Sequence, residues 1–229
     1  MLHEHAISSL KQRGVTQIQI GRGPHYFWQG VPANLPDAWA FFQACGWQEV
    51  ERSFDLIQEL ADYATPPEVY ERLNPTITIS QAIPDDTAGI LSFEEQHFPQ
   101  WLRFFQLVLD HQAYADVVVA REVNQGIAGT ALVIDPRSPG WNDDIRWLSL
   151  LGESTGSIGT LGVAELLREQ GIGLALAARA TEIAGERGLK RSYLGWTWLV
   201  DWYGKLGYRV WREYIMTRYT GKNSARNVQ

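Results

Sequence analysis

Two hydrophobic periods alternate along this chain. Thr76-Ile77-Thr78-Ile79-Ser80 alternates every second residue, which predicts a strand. Pro84-Asp85-Asp86 then opens a helix, with acidic residues at the positive end of its dipole. Helical text runs through Phe93 and resumes from Gln100 to Leu109. Val117-Val118-Val119-Ala120 is a continuous apolar run of the kind a buried strand requires, Asn124-Gln125-Gly126 is a turn, and Ile127 to Ile134 is a second strand. The pair predicts a hairpin. Pro136 to Asp144 reads as loop and Ser157 to Val163 as strand. From Leu174 to Arg187 the period changes to that of a helix. Leu176, Ala180, Ile183 and Ala184 form one stripe, Ala175, Arg179, Glu182 and Glu186 another, and Gly188 stands at the C-cap. Ser192-Tyr193-Leu194 is a short strand, Leu199 to Leu206 a helix closed by Gly207, and Arg209 to Tyr219 extended. This order predicts a mixed α/β layer fold.

Pro66-Pro67 and Pro75 punctuate the chain, with a short helical turn between them at Glu68 to Leu73, and the domain boundary is expected near residue 75. The first 60 residues echo the end of the chain. Arg13-Gly14-Val15 matches Arg187-Gly188-Leu189, and Ile20-Gly21 matches Leu194-Gly195, both 174 positions on. Phe42-Gln43-Ala44-Cys45-Gly46-Trp47 matches Tyr203-Gly204-Lys205-Leu206-Gly207-Tyr208 at 161 positions. The difference of 13 residues implies an insertion around Gly23 to Pro32. Matched offsets in the same order, at helix ends followed by extended text, indicate an internal repeat. Its first copy begins after the position of the glycine loop described below.

Composition narrows the picture. Of 229 residues, 45% are apolar, enough for a packed core. The net charge of -6 gives nothing to counterion release, so nucleic acid is not an expected partner. The single cysteine, Cys45, reads as a small apolar residue on a helix and offers no metal cluster, so no metal site is expected. The start of the chain lacks the basic and apolar run of a signal peptide, and no apolar stretch reaches bilayer length. No membrane partner is expected, and the default location is cytoplasmic.

The candidate chemistry lies at Arg168-Glu169-Gln170-Gly171-Ile172-Gly173, between a strand end and a helix start. Unpaired N–H groups at a helix N-terminus point outward with partial positive charge and suit a pyrophosphate. Glycines let the backbone approach closely. A Walker loop is excluded because Leu174-Ala175, not Lys-Ser/Thr, follows the glycines. A Rossmann turn would come early in a βαβ unit, with an acidic residue about 20 positions on, where Arg191-Ser192 stands.

The run Arg168-x-x-Gly171-x-Gly173, with Val163 five residues earlier, resembles the acyl-CoA-binding motif of the GNAT N-acetyltransferase superfamily. Trp202-Tyr203-Gly204-Lys205-Leu206-Gly207-Tyr208 resembles that family's second signature. The resemblance covers about residues 76–222. It implies a central mixed sheet with a splayed strand and helices on both faces, preceded over 1–75 by a partial, degenerate GNAT-like unit and followed by a tail, 223–229. It further implies acetyl-CoA as co-substrate and an amine of a small molecule or peptide as acceptor, the amine attacking the thioester directly. The backbone of Leu161 and Val163 would pair with the pantetheine arm, and Arg168, Glu169, Gln170, Gly171, Ile172, Gly173 and Leu174 would hold the pyrophosphate. Tyr203 would act as general acid, since a phenol is protonated at neutral pH.

The residues themselves name no clear base. Glu153 is the preferred candidate, and His97 and His111 lie in the acceptor-side helical region. Trp141, Trp147, Trp196, Trp198 and Trp202 concentrate near the expected site and would line an acceptor pocket or pack in the core, with Asp201 beside them to read a cationic amine. Phe42, at the repeat position of Tyr203, has no proton to give, so one active site is expected. Strand text from Glu49 to Leu60 would leave an open sheet edge, which docking onto the complete domain or a homodimer would cover. The alternative to an enzyme is a non-catalytic acyl-CoA-binding module.

Overall fold

The structure is a computed structural model describing residues 2–21, 28–123, 126–140, 145 and 147–221. The chain divides into two compact units, Met1–Phe54 with Arg212–Gln229, and Asp55–Trp211. The expected boundary at residue 75 therefore differs from the observed ones, and the 223–229 tail lies outside the described residues. The physical reason is visible in two long strands, β3 (Trp47–Glu59) and β9 (Arg209–Tyr219), each of which runs across a division point. In the larger unit the end of β3 lies beside β8 (Arg191–Thr197).

In the larger unit the sheet order is β3-β8-β7-β6-β5-β4. Here β4 is Ile77–Gln81, β5 Val117–Glu122, β6 Gly126–Ile134 and β7 Thr155–Val163. β4, β5, β6 and β7 pair antiparallel in sequence order, as the hairpin reading anticipated for β5 and β6. β7 and β8 are parallel, paired only from Thr155–Arg191 to Ser157–Tyr193. Beyond that both strands continue, β7 to Val163 and β8 to Thr197, with no further register between them. This is the splay the resemblance implied.

Adjacent residues on β6 show which helix covers which face, because neighbouring side chains on a strand point oppositely. Thr130 donates its hydroxyl to Glu94 of α4 (Thr87–His97), whereas a Cβ on Gly129 would meet Leu176 of α7 (Ile172–Glu186). On the first face, Ile90 of α4 and Phe105 and Val108 of α5 (Leu102–Asp110) pack with Val117, Val119 and Leu132. On the second, Ala175, Leu176, Ala180, Ile183 and Ala184 of α7 are buried. Arg179 pairs with Glu182 and Glu186 on that helix's polar side. Ala175, grouped with the polar face from sequence, is buried too. The short helices α3 (Glu68–Glu71), α6 (Leu148–Leu151) and α8 (Val200–Gly204) complete this unit.

The smaller unit holds α1 (Leu2–Gln12), β1 (Gln19–Ile20), β2 (Val31–Pro32) and α2 (Pro36–Ala44). β1 and β2 both pair antiparallel with the distal part of β9. His3, Phe42, Trp47 and Tyr219 make edge-on and tilted ring contacts, and the Trp47 indole donates to His3 Nε2 at 2.7 Å. Local geometry recurs at the expected offsets. α1 and α7 both stop one residue before the matched arginines, and Gly14 and Gly188 both take left-handed φ, 77° and 79°. Their N–H groups donate to Lys11 and Gly185, again 174 positions apart. At 161 positions, Gly46 donates to Gln43 and Gly207 to Gly204. Half of the inferred insertion, residues 23–27, lies outside the described residues.

Candidate functional site

The splay of β7 from β8 is reinforced by a bulge. Thr130 pairs with Gly162 and Leu132 with Gly159, so Thr160 and Leu161 both face Ala131. Thr160 takes φ 44°, a conformation that β-branched residues avoid. At the end of β8, Trp196 takes φ 52° and its backbone N–H donates to the buried Asp55 carboxylate at 3.2 Å. Backbone strain therefore concentrates where the two strands part, the pattern seen where a fold positions reactive groups.

A cavity of about 650 Å³ opens at this end of the sheet. Leu161, Gly162 and Val163 of β7 line one side, and Arg168, Glu169, Gly171, Gly173 and Leu174 the loop side. Trp202, Tyr203 and Lys205 come from α8 and its C-cap, and Phe98 from the turn after α4. Gly162 is required by its neighbour: a Cβ there would stand 2.3 Å from the Phe98 ring. Gly171 is the N-cap of α7 with φ 79°, where any side chain is strained. Glu169 also has positive φ, 66°, so the loop backbone curls before the helix begins. The amides of the first turn of α7 are the orphan donors of a 15-residue helix, and their partial positive charge faces this end of the cavity.

Of the residues expected to hold a cofactor, Leu161, Val163, Arg168, Glu169, Gly171, Gly173 and Leu174 meet at the cavity. Ile172 is buried beneath it, and the Gln170 side chain accepts from Asn74 Nδ2 at 2.9 Å. Tyr203 is 7% exposed, and burial raises its phenol above the usual range, so its proton is retained through neutral pH. Its ring meets those of Trp202 and Tyr208 edge-on.

Other expected residues are not brought here. Glu153 is exposed in the turn before β7, at the opposite end of that strand from Leu161 to Val163, and is not among the cavity-lining residues. A nine-residue strand spans roughly 25–30 Å, which separates Glu153 from that end of β7. Among the described tryptophans, Trp202 alone lines the cavity. Trp198 is 68% exposed, Trp196 is held at the end of β8, Trp147 packs against a core group of Ile57, Ile145, Leu151 and Tyr193, and Trp141 lies outside the described residues. Asp201 is exposed and does not line the cavity. His97 lines a separate cavity of about 520 Å³ with Ser92, Phe93 and Leu166, while His111 is exposed.

Two features had no sequence signal. Val69 and Arg72, from the segment between the prolines, line the main cavity. Glu94, fully buried on α4, accepts from Thr130 with one oxygen, and its other oxygen has no hydrogen-bond partner among the described residues. Burial pushes its carboxyl up to about 7, with the Thr130 hydrogen bond opposing.

A splayed parallel strand pair beside a glycine loop, with a tyrosine on the next short helix, defines a class of mixed α/β proteins whose cleft is opened by strand separation. The comparisons carry this to a family: the model of the acetyltransferase (GNAT) family matches residues 80–208, and the chain belongs to that family. Among solved structures, it is similar to a fungal multi-domain GH3 β-N-acetylglucosaminidase with a GCN5-related glucosamine N-acetyltransferase region. Identity there is 30% and the TM-score 0.82, over 95% of this chain and 27% of that one. A GCN5-related N-acetyltransferase from Sphaerobacter thermophilus shares 20% identity at a TM-score of 0.63, over 82% of this chain and 57% of that one, a likeness of fold. The chain thus spans little more than a quarter and little more than half of these two relatives. A comparison with curated proteins gives no match.

Proposed function

We propose that the chain is an acetyl-CoA-dependent N-acetyltransferase acting on a primary amine, with an amino sugar of the glucosamine type as the first acceptor to test. The observation that carries this reading is a single cavity shared by the glycine loop at the start of α7, the free end of β7 and Tyr203. The residues suit the co-substrate. Gly171 lets the loop turn at a left-handed φ into the helix start, and the loop offers amides and the Arg168 guanidinium to phosphates. The co-substrate supplies an acyl thioester, which the acceptor amine attacks directly. The loop residues from Arg168 to Leu174 bind phosphate, and the backbone of Leu161 and Val163 aligns the arm as an added strand would. Tyr203 holds a proton at its hydroxyl for the departing sulfur. Burial keeps that proton on the hydroxyl through neutral pH, and the proton the amine loses on becoming an amide replaces it.

The amino-sugar acceptor rests on the fungal relative, which is described as holding a GCN5-related glucosamine N-acetyltransferase region and resembles 95% of this chain over 27% of its own length. Residues 1–54 read as a shortened, non-catalytic copy, supported by the matched helix ends and by Phe42 at the position of Tyr203. Free-thiol release from acetyl-CoA, followed across glucosamine, other amino sugars and peptide amines, tests the reading. Turnover with glucosamine is expected. CoA binding without turnover on any amine would favour the non-catalytic module instead.

A further inference from the structure

Family similarity begins at residue 80, yet the cavity has a wall from earlier in the chain. Residues 65–74 form a strap pinned at both ends. At one end, the Thr65 and Tyr70 hydroxyls donate to the same Glu182 oxygen of α7, at 2.6 and 2.9 Å. At the other, Asn74 donates its backbone N–H to Gln170 O at 3.3 Å and its side-chain amide to Gln170 Oε1 at 2.9 Å. Between them α3 forms, with Val69 buried, and the Arg72 carbonyl lies so close to the loop that a Cβ on Gly171 would approach it to 2.7 Å.

The strap thereby delivers a guanidinium. Arg72, Arg168 and Lys205 line the cavity together with a single carboxylate among the described residues, Glu169. Among the described residues, none of the three cations forms an ion pair, although the chain as a whole is acidic at -6. Other arginines of this unit do find carboxylates: Arg121, Arg137, Arg179, Arg187, Arg191 and Arg209 all form ion pairs. Unpaired cations facing one cavity, beside a helix N-terminus, match a polyanion better than an amine or a sugar.

We propose that Arg72 is a phosphate-binding residue of the co-substrate site, contributed by a strap that lies outside the family domain. This rests on the reading of the cavity as an acyl-CoA site. Arg72 is exposed, so its substitution leaves the core intact. Isothermal titration of the full chain with CoA, at several salt concentrations, tests it. Arg72→Gln is expected to weaken CoA binding about 10- to 100-fold, the loss of a charge-assisted contact, and to flatten the salt dependence. Arg72→Lys should recover part of the affinity. Repeating the titration with 3′-dephospho-CoA assigns the phosphate: equal losses mean the pyrophosphate, a loss for CoA alone the 3′-phosphate. An Arg72→Gln variant that binds as wild type, or that weakens with unchanged salt dependence, overturns the role of Arg72 while leaving the acyl-CoA reading in place. Failure of the wild-type chain to bind CoA overturns both.

Discussion

Tyr203 and Phe42, 161 positions apart in two similar sequence runs, differ by one hydroxyl. If that hydroxyl protonates the departing thiolate, Tyr203→Phe should lower kcat by roughly 10²–10⁴-fold and leave CoA affinity unchanged. Steady-state rates paired with CoA titration check this, and a rate equal to wild type would remove the role. Tyr203 was legible because its spacing to Gly207 and Tyr208 belongs to a local motif. Glu94 was not, because nothing in Phe93-Glu94-Glu95 tells which glutamate faces the sheet. Only the packing of α4 on β6 buries it, and burial raises its carboxyl to about 7. The linkage follows directly. Between the usual glutamate value and about 7 the folded chain holds a proton that the unfolded chain has released. Glu94 therefore makes stability fall as pH rises through that window, with the full penalty above it. Urea unfolding at pH 5 and pH 8 should show Glu94→Gln gaining on wild type at the higher pH. A difference that stays constant or reverses would contradict the burial argument.

At the level of elements, long periodic segments were readable, and the short helices α3 and α8 were readable from the prolines and the glycine beside them, whereas α6 was not. α4, α5 and α7 and all the strands of the larger unit from β4 onward fall where the patterns put them, within a few residues. α6, only four residues long, is too short to show a helical period, and the β7 bulge needs a partner strand to exist at all. The glycine loop was readable as a phosphate cradle, but its tight contact with the strap was not, since Arg72 lies 99 positions before Gly171. Two substitutions separate these effects. Gly171→Ala combines a left-handed φ with a Cβ 2.7 Å from a backbone oxygen, so it should cost about 1–3 kcal/mol and weaken CoA binding at least several-fold. Gly185→Ala, in the same helix with open space around the added methyl, should stabilise by roughly 0.5–1 kcal/mol. Denaturant midpoints of both, measured side by side, distinguish a positional requirement from general intolerance. Arg187, one residue past α7, pairs with Asp116 and Asp135, which are otherwise buried. Arg187→Ala should cost about 3–5 kcal/mol, because it leaves the buried Asp116 without its cation while Asp135 keeps Arg137, and the same unfolding assay reads it.

The scale at which sequence reading departed furthest from the structure is that of the whole molecule. The prolines near residue 66 and at 75 mark a real change of local structure, but not the edge of a compact unit. Punctuation in sequence reports where an element stops, whereas a unit is defined by which surfaces are buried together. In the larger unit the stretch from Asp55 onward contributes Leu56, Ile57, Leu60 and Val69, each no more than 7% exposed. It also contributes the strand beside β8, tied by Leu60 N–H to Lys190 O at 2.9 Å, and Asp55, which holds the end of β8 at Trp196. Four buried apolar side chains, at roughly 1.5–3 kcal/mol each, represent about 6–12 kcal/mol, an amount comparable to the whole stability of an ordinary domain. A fragment starting at residue 76, where the sequence places the complete domain, would lack all of them and Arg72 as well. It should therefore fail to fold cooperatively: circular dichroism on heating should show no sigmoidal transition, and amide exchange should show no protected core. The full chain should show both. A fragment from residue 76 that melts cooperatively and binds CoA as tightly as the full chain would return the boundary to the prolines.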